Sequence, residues 1–310
     1  MKKKNSILVT GASGFVGSIL SKKLEESNFL VKKITKKNIY NKIFTYKKNF
    51  NYKTRWFSHL RDIEIVIHCA NISKANNNSF QSFNEINNLS TINLAKQCIK
   101  SNVKIFIYLS SVKVFGEFAE KKIKYFNKKN PLSNYGVSKL NAEKGLKKIF
   151  NNKKFKLLII QPPIIYGNGS TNNITKFVRF FKYIPFFICS PRENKRAFIS
   201  INNLCDFIIH IIKNKNSLKN YEEFLISDNE SISLEQLIKR ISNIYKKKIF
   251  IFKLPVLLFN FFYNFSFSKN FLKKLYGSLD LDISRTIQRT NWRPKYKMLE
   301  ELNKIKNFYE

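Results

Sequence analysis

In the stretch YGVSK a tyrosine and a lysine, Tyr135 and Lys139, stand four residues apart, downstream of Ser111 in LSSVKVFG. Four residues is about one helical turn, so on a helix both side chains leave the same face. An unassisted phenol, with a pKa of about 10, is a poor proton donor or acceptor near neutrality, and a neighbouring ammonium favours its anion. Ser111 adds a hydroxyl that can orient an oxygen of the reacting molecule. These three residue types fit proton transfer to or from a hydroxyl or carbonyl. A second pattern, VTGASGFVG from Val9 to Gly17, spaces Gly11, Gly14 and Gly17 three residues apart. The apolar run Ile7 to Val9 precedes it, and a helical pattern through Val16, Ile19, Leu20 and Leu24 follows. Small residues in such a turn let backbone N–H groups approach a pyrophosphate at the positive end of the helix.

Further apolar runs at residues 30–34, 63–67, 105–109 and 157–160 read as strands, with helical patterns at 86–99 and 137–150 between them. Strand alternating with helix predicts an α/β fold: a Rossmann-type doubly wound parallel sheet with a smaller C-terminal substrate-binding lobe. Residues 1–165 and a returning segment 200–227 are expected to form the dinucleotide-binding domain, with 166–199 and 228–310 in the lobe. After Pro162-Pro163 the alternation gives way to a helix at 174–181, an irregular loop around Pro185 and Pro191, a helix at 201–212 and a strand at 224–226. Ser233 and Gln236 form a capping box ahead of the apolar spacing Leu234, Leu237, Ile238, Ile241.

The chain has 310 residues, with 57 Lys+Arg against 20 Asp+Glu and a formal charge of +37. The lysines are scattered along the chain and form no basic stripe with interleaved aromatics, so no nucleic-acid partner is expected, while anionic small ligands are favoured. Cys69, Cys98, Cys189 and Cys205 are widely spaced, and His59, His68 and His210 are isolated. Reduced structural thiols and no metal follow. The start MKKKNSILVTGASG breaks into glycines too early for a signal peptide. The apolar stretch 249–267 is interrupted by Lys253, Pro255, Asn260 and Asn264, which disfavours a spanning helix and leaves shallow membrane contact open. A cytoplasmic protein is expected.

With these motifs, the segments IEIVIHCAN (63–71), EINNLSTINL (85–94), QPPIIYGNG (161–169) and KRAFISINNLCD (195–206) resemble the extended short-chain dehydrogenase/reductase family, its NAD-dependent epimerase/dehydratase group, over nearly the whole chain. The resemblance implies that Ser111 orients a sugar carbonyl or hydroxyl, that Tyr135 transfers the proton, and that Lys139 holds the nicotinamide ribose and tunes Tyr135. It implies cofactor contacts from Gly11, Ser13, Gly14, Phe15, Val16 and Gly17, and from Thr35 and Lys36 after the second strand. Cys69, Ala70, Asn71, Asn87 and Pro162 join them. Asn168 and Arg196, with Ser111 and Tyr135, are the implied substrate contacts, Arg196 matching an arginine that meets the nucleotide diphosphate. Helices 86–99 and 137–150 correspond to those that pair homodimers in the family.

Two departures bear on the reaction. Dehydratases of the family carry an Asp-Glu pair after the serine or threonine; here Val112 and Lys113 stand there, and valine cannot donate a proton, which disfavours water elimination. Thr35 occupies the place of the acidic residue that bonds the ribose 2′-OH, and Lys36 and Lys37 follow it, so NADP(H) is favoured over NAD(H) on charge. The C-terminal segments resemble reductases of UDP-4-keto-6-deoxy-N-acetylhexosamines that serve surface-polysaccharide precursor synthesis. A nucleotide-sugar 4-epimerase of the UDP-glucose/UDP-N-acetylglucosamine type is the alternative. A non-catalytic dinucleotide- or RNA-binding module is opposed by the intact Ser111, Tyr135 and Lys139.

Overall fold

The computed structural model describes residues 6–35, 45–47, 50–73, 79–150, 155–170, 173–189, 194–255, 257 and 276–309. The chain divides into two compact units: residues 1–116, 128–162 and 205–224 form the first, and 117–127, 163–204 and 225–310 the second. Residues 117–127, 163–165, 200–204 and 225–227, expected with the dinucleotide-binding domain, fall in the second.

In the first unit, β1 (Ser6–Thr10) leads through the glycine turn to α1 (Phe15–Glu26), then β2 (Leu30–Thr35), β3 (Thr45–Lys47), the short α2 (Phe57–Leu60) and β4 (Ile65–His68). A continuous helical stretch follows: α3 (Phe80–Phe83), a π-helical segment Asn84–Leu89, and α4 (Ser90–Lys100). Then come β5 (Ile105–Leu109), a 3-10 turn Val112–Val114, α5 (Asn134–Ile149) and β6 (Lys156–Gln161). Strands β3, β2, β1, β4, β5 and β6 lie side by side in that order. Their pairings are parallel, for instance Val9 with Ile67 and Ile107 with Leu158. This is the doubly wound arrangement, in which the chain reverses direction across the sheet beside β1. All four residues of β4 and all five of β5 are buried, as a parallel sheet covered on both faces demands.

The second unit holds β7 (Ile164–Tyr166), α6 (Asn173–Phe180), β8 (Phe186–Cys189) and β9 (Arg196–Ser200). The boundary falls inside α7 (Ile201–Lys213), between Leu204 and Cys205, and again inside β10 (Tyr221–Leu225), the strand that neighbours β6. Beyond it come β11 (Ser231–Ile232), α8 (Leu234–Tyr245), β12 (Phe250–Lys253), α9 (Ser284–Thr290) and α10 (Met298–Tyr309). The capping box at Ser233 and Gln236 is present with both bonds made. Ile174, Val178, Leu237, Ile241, Leu302 and Ile305 of α6, α8 and α10 share one core.

Residues 186–189, expected to be irregular, instead form β8, which pairs in parallel with β12. The sequence reading also did not assign β7 and β9, which pair with each other. Among the described residues no helix is long and apolar enough to cross a membrane. The shallow-contact expectation for 249–267 lies mostly outside the described residues; within them, Phe250 and Phe252 of β12 are exposed.

Candidate active site

The glycine turn is built by two contacts. Gly11 adopts φ +69°, a left-handed conformation, and a Cβ there would stand 2.8 Å from the backbone of Ala70. At Gly17 a Cβ would lie 2.2 Å from the Gly11 carbonyl oxygen, so only glycine lets α1 start so close to the turn. Gly14 is the N-cap and supplies no side-chain bond, and the first turn of α1 holds no acidic residue. The leading N–H groups of α1, around Phe15 and Val16, are thus left for an anion, with Ser13 exposed in the turn. These features fit the pyrophosphate of a dinucleotide.

Ala70 meets Gly11 because a buried chain of hydrogen bonds ties β4 to β1. The Ala70 N–H donates to Thr10 Oγ1 at 3.3 Å, and Thr10 Oγ1 lies 2.6 Å from His68 Nδ1. On the other side of the ring, His68 Nε2 lies 2.9 Å from Thr91 Oγ1, whose own proton goes to the Asn87 carbonyl at 2.8 Å. Thr91 therefore accepts from Nε2–H, and Nδ1 accepts from Thr10. Burial, then the Lys139 ammonium, push His68 down to about 3, which keeps the ring neutral. Asn87, in the π-helical segment, clasps Ile72 through both N–H and carbonyl and donates to Ser138 Oγ at 3.1 Å. The chain thus runs from the glycine turn to the residue beside Lys139.

Ser111 lies two residues beyond β5 rather than at its end, and its hydroxyl caps the 3-10 turn by accepting from the Lys113 N–H at 3.3 Å. Val112 is buried, and its N–H donates to the Pro162 carbonyl at 3.0 Å, which brings Pro162 to the same strand end. Ser133 caps α5, so Tyr135 and Lys139 lie in its first two turns. The Lys139 ammonium donates to the Leu109 carbonyl at 2.7 Å, 4.6 Å from the Tyr108 ring centroid and 5.9 Å from that of Tyr135. Phe83 meets Tyr135 edge-on at 6.3 Å. Burial lowers Lys139 to about 7, while Cys69 and Glu143 act the other way. Cys69, pushed up to about 12 by its own burial, is a neutral thiol near neutrality, so Glu143 is the charge that supports the ammonium.

The sequence reading did not single out Glu143. One turn after Lys139, its carboxylate accepts from Ser110 Oγ at 2.5 Å, Gln161 Nε2 at 3.0 Å and Lys129 Nζ at 2.5 Å. Lys129 also reaches Glu223 at 2.6 Å. Burial pulls Lys129 down, but the two carboxylates outweigh it and hold the ammonium above its ordinary value. The Lys139–Glu143 spacing is the only local signal of this cluster.

Gly11, Gly14, Gly17, Ala70, Asn87, Ser111, Tyr135, Lys139 and Pro162 are thus joined directly or through one another. Cys69 is buried and Asn71 exposed beside Ala70. Thr35, at the end of β2, is buried, with 2 % exposure. Lys36 and Lys37 lie outside the described residues. Asn168 and Arg196 belong to the second unit, where Arg196, on β9, donates to the Glu117 carbonyl at 3.2 Å and is lowered by burial.

Residues 7–227 match the model of the NAD dependent epimerase/dehydratase family. A UDP-glucose 4-epimerase of Vibrio cholerae is 31 % identical over 96 % of this chain and 94 % of its own length. Among solved structures, MoeE5 in complex with UDP-glucose and NAD superposes with a TM-score of 0.80 at 17 % identity, covering 98 % of each chain. The UDP-glucuronic acid 4-epimerase of Bacillus cereus, in complex with NAD, does so with a TM-score of 0.79 at 21 % identity, covering 98 % of this chain and all of the other (100 %). At these identities the structural likeness is one of fold. The glycine turn, the serine–tyrosine–lysine trio and the family match over two thirds of the sequence converge: the chain belongs to the NAD dependent epimerase/dehydratase family.

Proposed function

We propose that the chain interconverts a hydroxyl and a ketone at C4 of a UDP-linked sugar, and that its reaction is 4-epimerisation with a retained dinucleotide. The observation that supports the C4 chemistry is the Lys139 ammonium, beside the Tyr135 ring and bonded to the Leu109 carbonyl at the end of β5, two residues before Ser111, within the first unit. A nicotinamide dinucleotide on the glycine turn would supply the hydride acceptor and donor. Tyr135 takes the O4 proton as C4 is oxidised and returns one as C4 is reduced. Ser111 donates a hydrogen bond to the same oxygen. Lys139 holds the ribose and favours the anionic form of Tyr135. On this reading we place the chain in the cytoplasm.

Two observations support epimerisation: the similarity to the Vibrio cholerae epimerase, and the burial of Thr35, which removes one seat for a 2′-phosphate and suits NAD. A second reading, an NADPH-dependent 4-keto reductase, is supported by the charge of Lys36 and Lys37. Identifying the dinucleotide released from one portion of the purified protein, and incubating an untreated portion with UDP-glucose or UDP-N-acetylglucosamine without added cofactor, separates the two. Co-purified NAD and conversion to the C4 epimer are expected. Stoichiometric NADPH consumption with a UDP-4-keto-6-deoxy sugar, and no epimerisation, would establish the reductase instead.

A further inference from the structure

The Lys113 ammonium lies 5.7 Å from the Tyr135 ring centroid, as near as that of Lys139 at 5.9 Å. The backbone places it there. Ser111 caps the 3-10 turn through the Lys113 N–H, and Val112 is buried, which anchors one side of Lys113 in the core. On the other side Gly136 packs onto it: a Cβ at Gly136 would stand 2.7 Å from the Lys113 carbonyl oxygen. A glycine next to Tyr135 therefore lets the first turn of α5 touch the backbone of Lys113. The side chain is half-buried, so its charge acts through less water than a free surface lysine's.

We propose that Lys113 is a positioning residue that sets the acidity of Tyr135: a second cation, beside Lys139, that stabilises the phenolate. The inference rests on the reading of Tyr135 as the proton-transfer group. When C4 is reduced, the Tyr135 O–H bond breaks, the O4–H bond forms and negative charge appears on the phenol oxygen; when C4 is oxidised the proton travels back. Both cations favour the charged side of that exchange. Among the described residues, groups facing Tyr135 include Lys113 from the 3-10 turn, Lys139 from α5, Tyr108 from β5 and the uncharged Phe83 from α3; Glu143 acts behind Lys139. Tyr108 is itself held well above its ordinary value by burial, then by Glu143 and Tyr135, and stays neutral. Lys113 is thus a facing charge, besides Lys139, whose removal alters the balance. The position that holds a carboxylate in dehydratases holds here a group of opposite sign, suited to helping a tyrosine rather than to eliminating water.

The test is a pH titration of the protein carrying 13Cζ-labelled tyrosine, the Tyr135 resonance being identified by its loss in Tyr135→Phe. In Lys113→Met and in Lys113→Gln the midpoint should rise by about one pH unit, a tenfold change in the ionisation constant. Lys113→Arg, which keeps the charge, should restore it to within about 0.3 unit. An unmoved midpoint in both neutral variants, or an arginine variant that shifts as far as they do, would overturn the proposal. The readout needs no substrate, so it stands apart from the reaction assigned above, which fails separately if Tyr135→Phe keeps full turnover.

Discussion

Each unit encloses a carboxylate in a hydrogen-bonded cluster, and the two are compensated in opposite ways. In the first unit Glu143 shares the Lys129 ammonium with Glu223 and accepts from Ser110 and Gln161. In the second, Asp228 is surrounded by neutral donors: Tyr166 Oη at 2.7 Å, the Ser200 N–H at 3.0 Å and Asn203 Nδ2 at 2.7 Å. Burial raises Asp228 to about 6 against the pull of those bonds. Asn203 extends the cluster to the backbone of Lys295 and Tyr296 ahead of α10, so Asp228 pins chain segments together. Burial raises Glu143 as it raises Asp228, but at Glu143 the Lys129 ammonium opposes that shift first, whereas at Asp228 hydrogen bonds from neutral donors oppose it and tie chain segments together.

The comparison breaks most visibly at Lys129. Lys129→Met leaves Glu143 and Glu223 buried without their cation, and a loss of about 3–5 kcal/mol in urea unfolding is expected. An unchanged midpoint would mean that the cluster is not compensated as described. Next comes Tyr135→Phe, which should lower turnover by about 100-fold or more while leaving dinucleotide binding and unfolding nearly unaltered. Retained turnover would remove Tyr135 from the proton step.

Asp228 sharpens the contrast through pH. Its folded value of about 6 lies above the ordinary 3.8, so the stability it contributes is fully present below about 3.8 and lost as pH rises through about 6. Asp228→Asn carries no charge at any pH. Between pH 4 and 7 the wild type should therefore lose about 2 kcal/mol relative to this variant, measured as diverging unfolding midpoints. Parallel midpoints would show that Asp228 titrates normally. The smallest effect is expected at Thr35. Because its side chain is turned from solvent, Thr35→Val should change the ratio of NADH to NADPH affinity by less than about twofold, well below a charge-assisted contact. A larger change in a cofactor titration would return Thr35 to the binding site.

What could be read along the chain was local. Tyr135 and Lys139 share a face because they are four apart, and the structure begins α5 at Asn134 with Ser133 as its cap. The glycine turn followed from glycines between a strand and a helix, and the capping box at Ser233 from two residues three apart. What was missed is non-local. β8 reads as irregular beside Pro185 because its partner, β12, lies some sixty residues away, and no pattern within 186–189 announces that pairing. Glu143 looks like a charge on a helix until Ser110, Lys129, Gln161 and Glu223 arrive from separate parts of the chain. Thr35 and Lys36 were read from charge alone, whereas the burial of Thr35 is a property that only the folded chain shows.

The sequence by itself determined the parallel sheet, the glycine turn after β1 and the tyrosine–lysine face of α5, because each depends on spacing that one or two turns of backbone convert directly into geometry. Tertiary structure alone decided the protonation of His68, the charge that backs Lys139, the burial of Thr35 and the approach of Lys113 to Tyr135. These depend on which groups share a low-dielectric interior, and segments distant in sequence meet there only when the chain is folded.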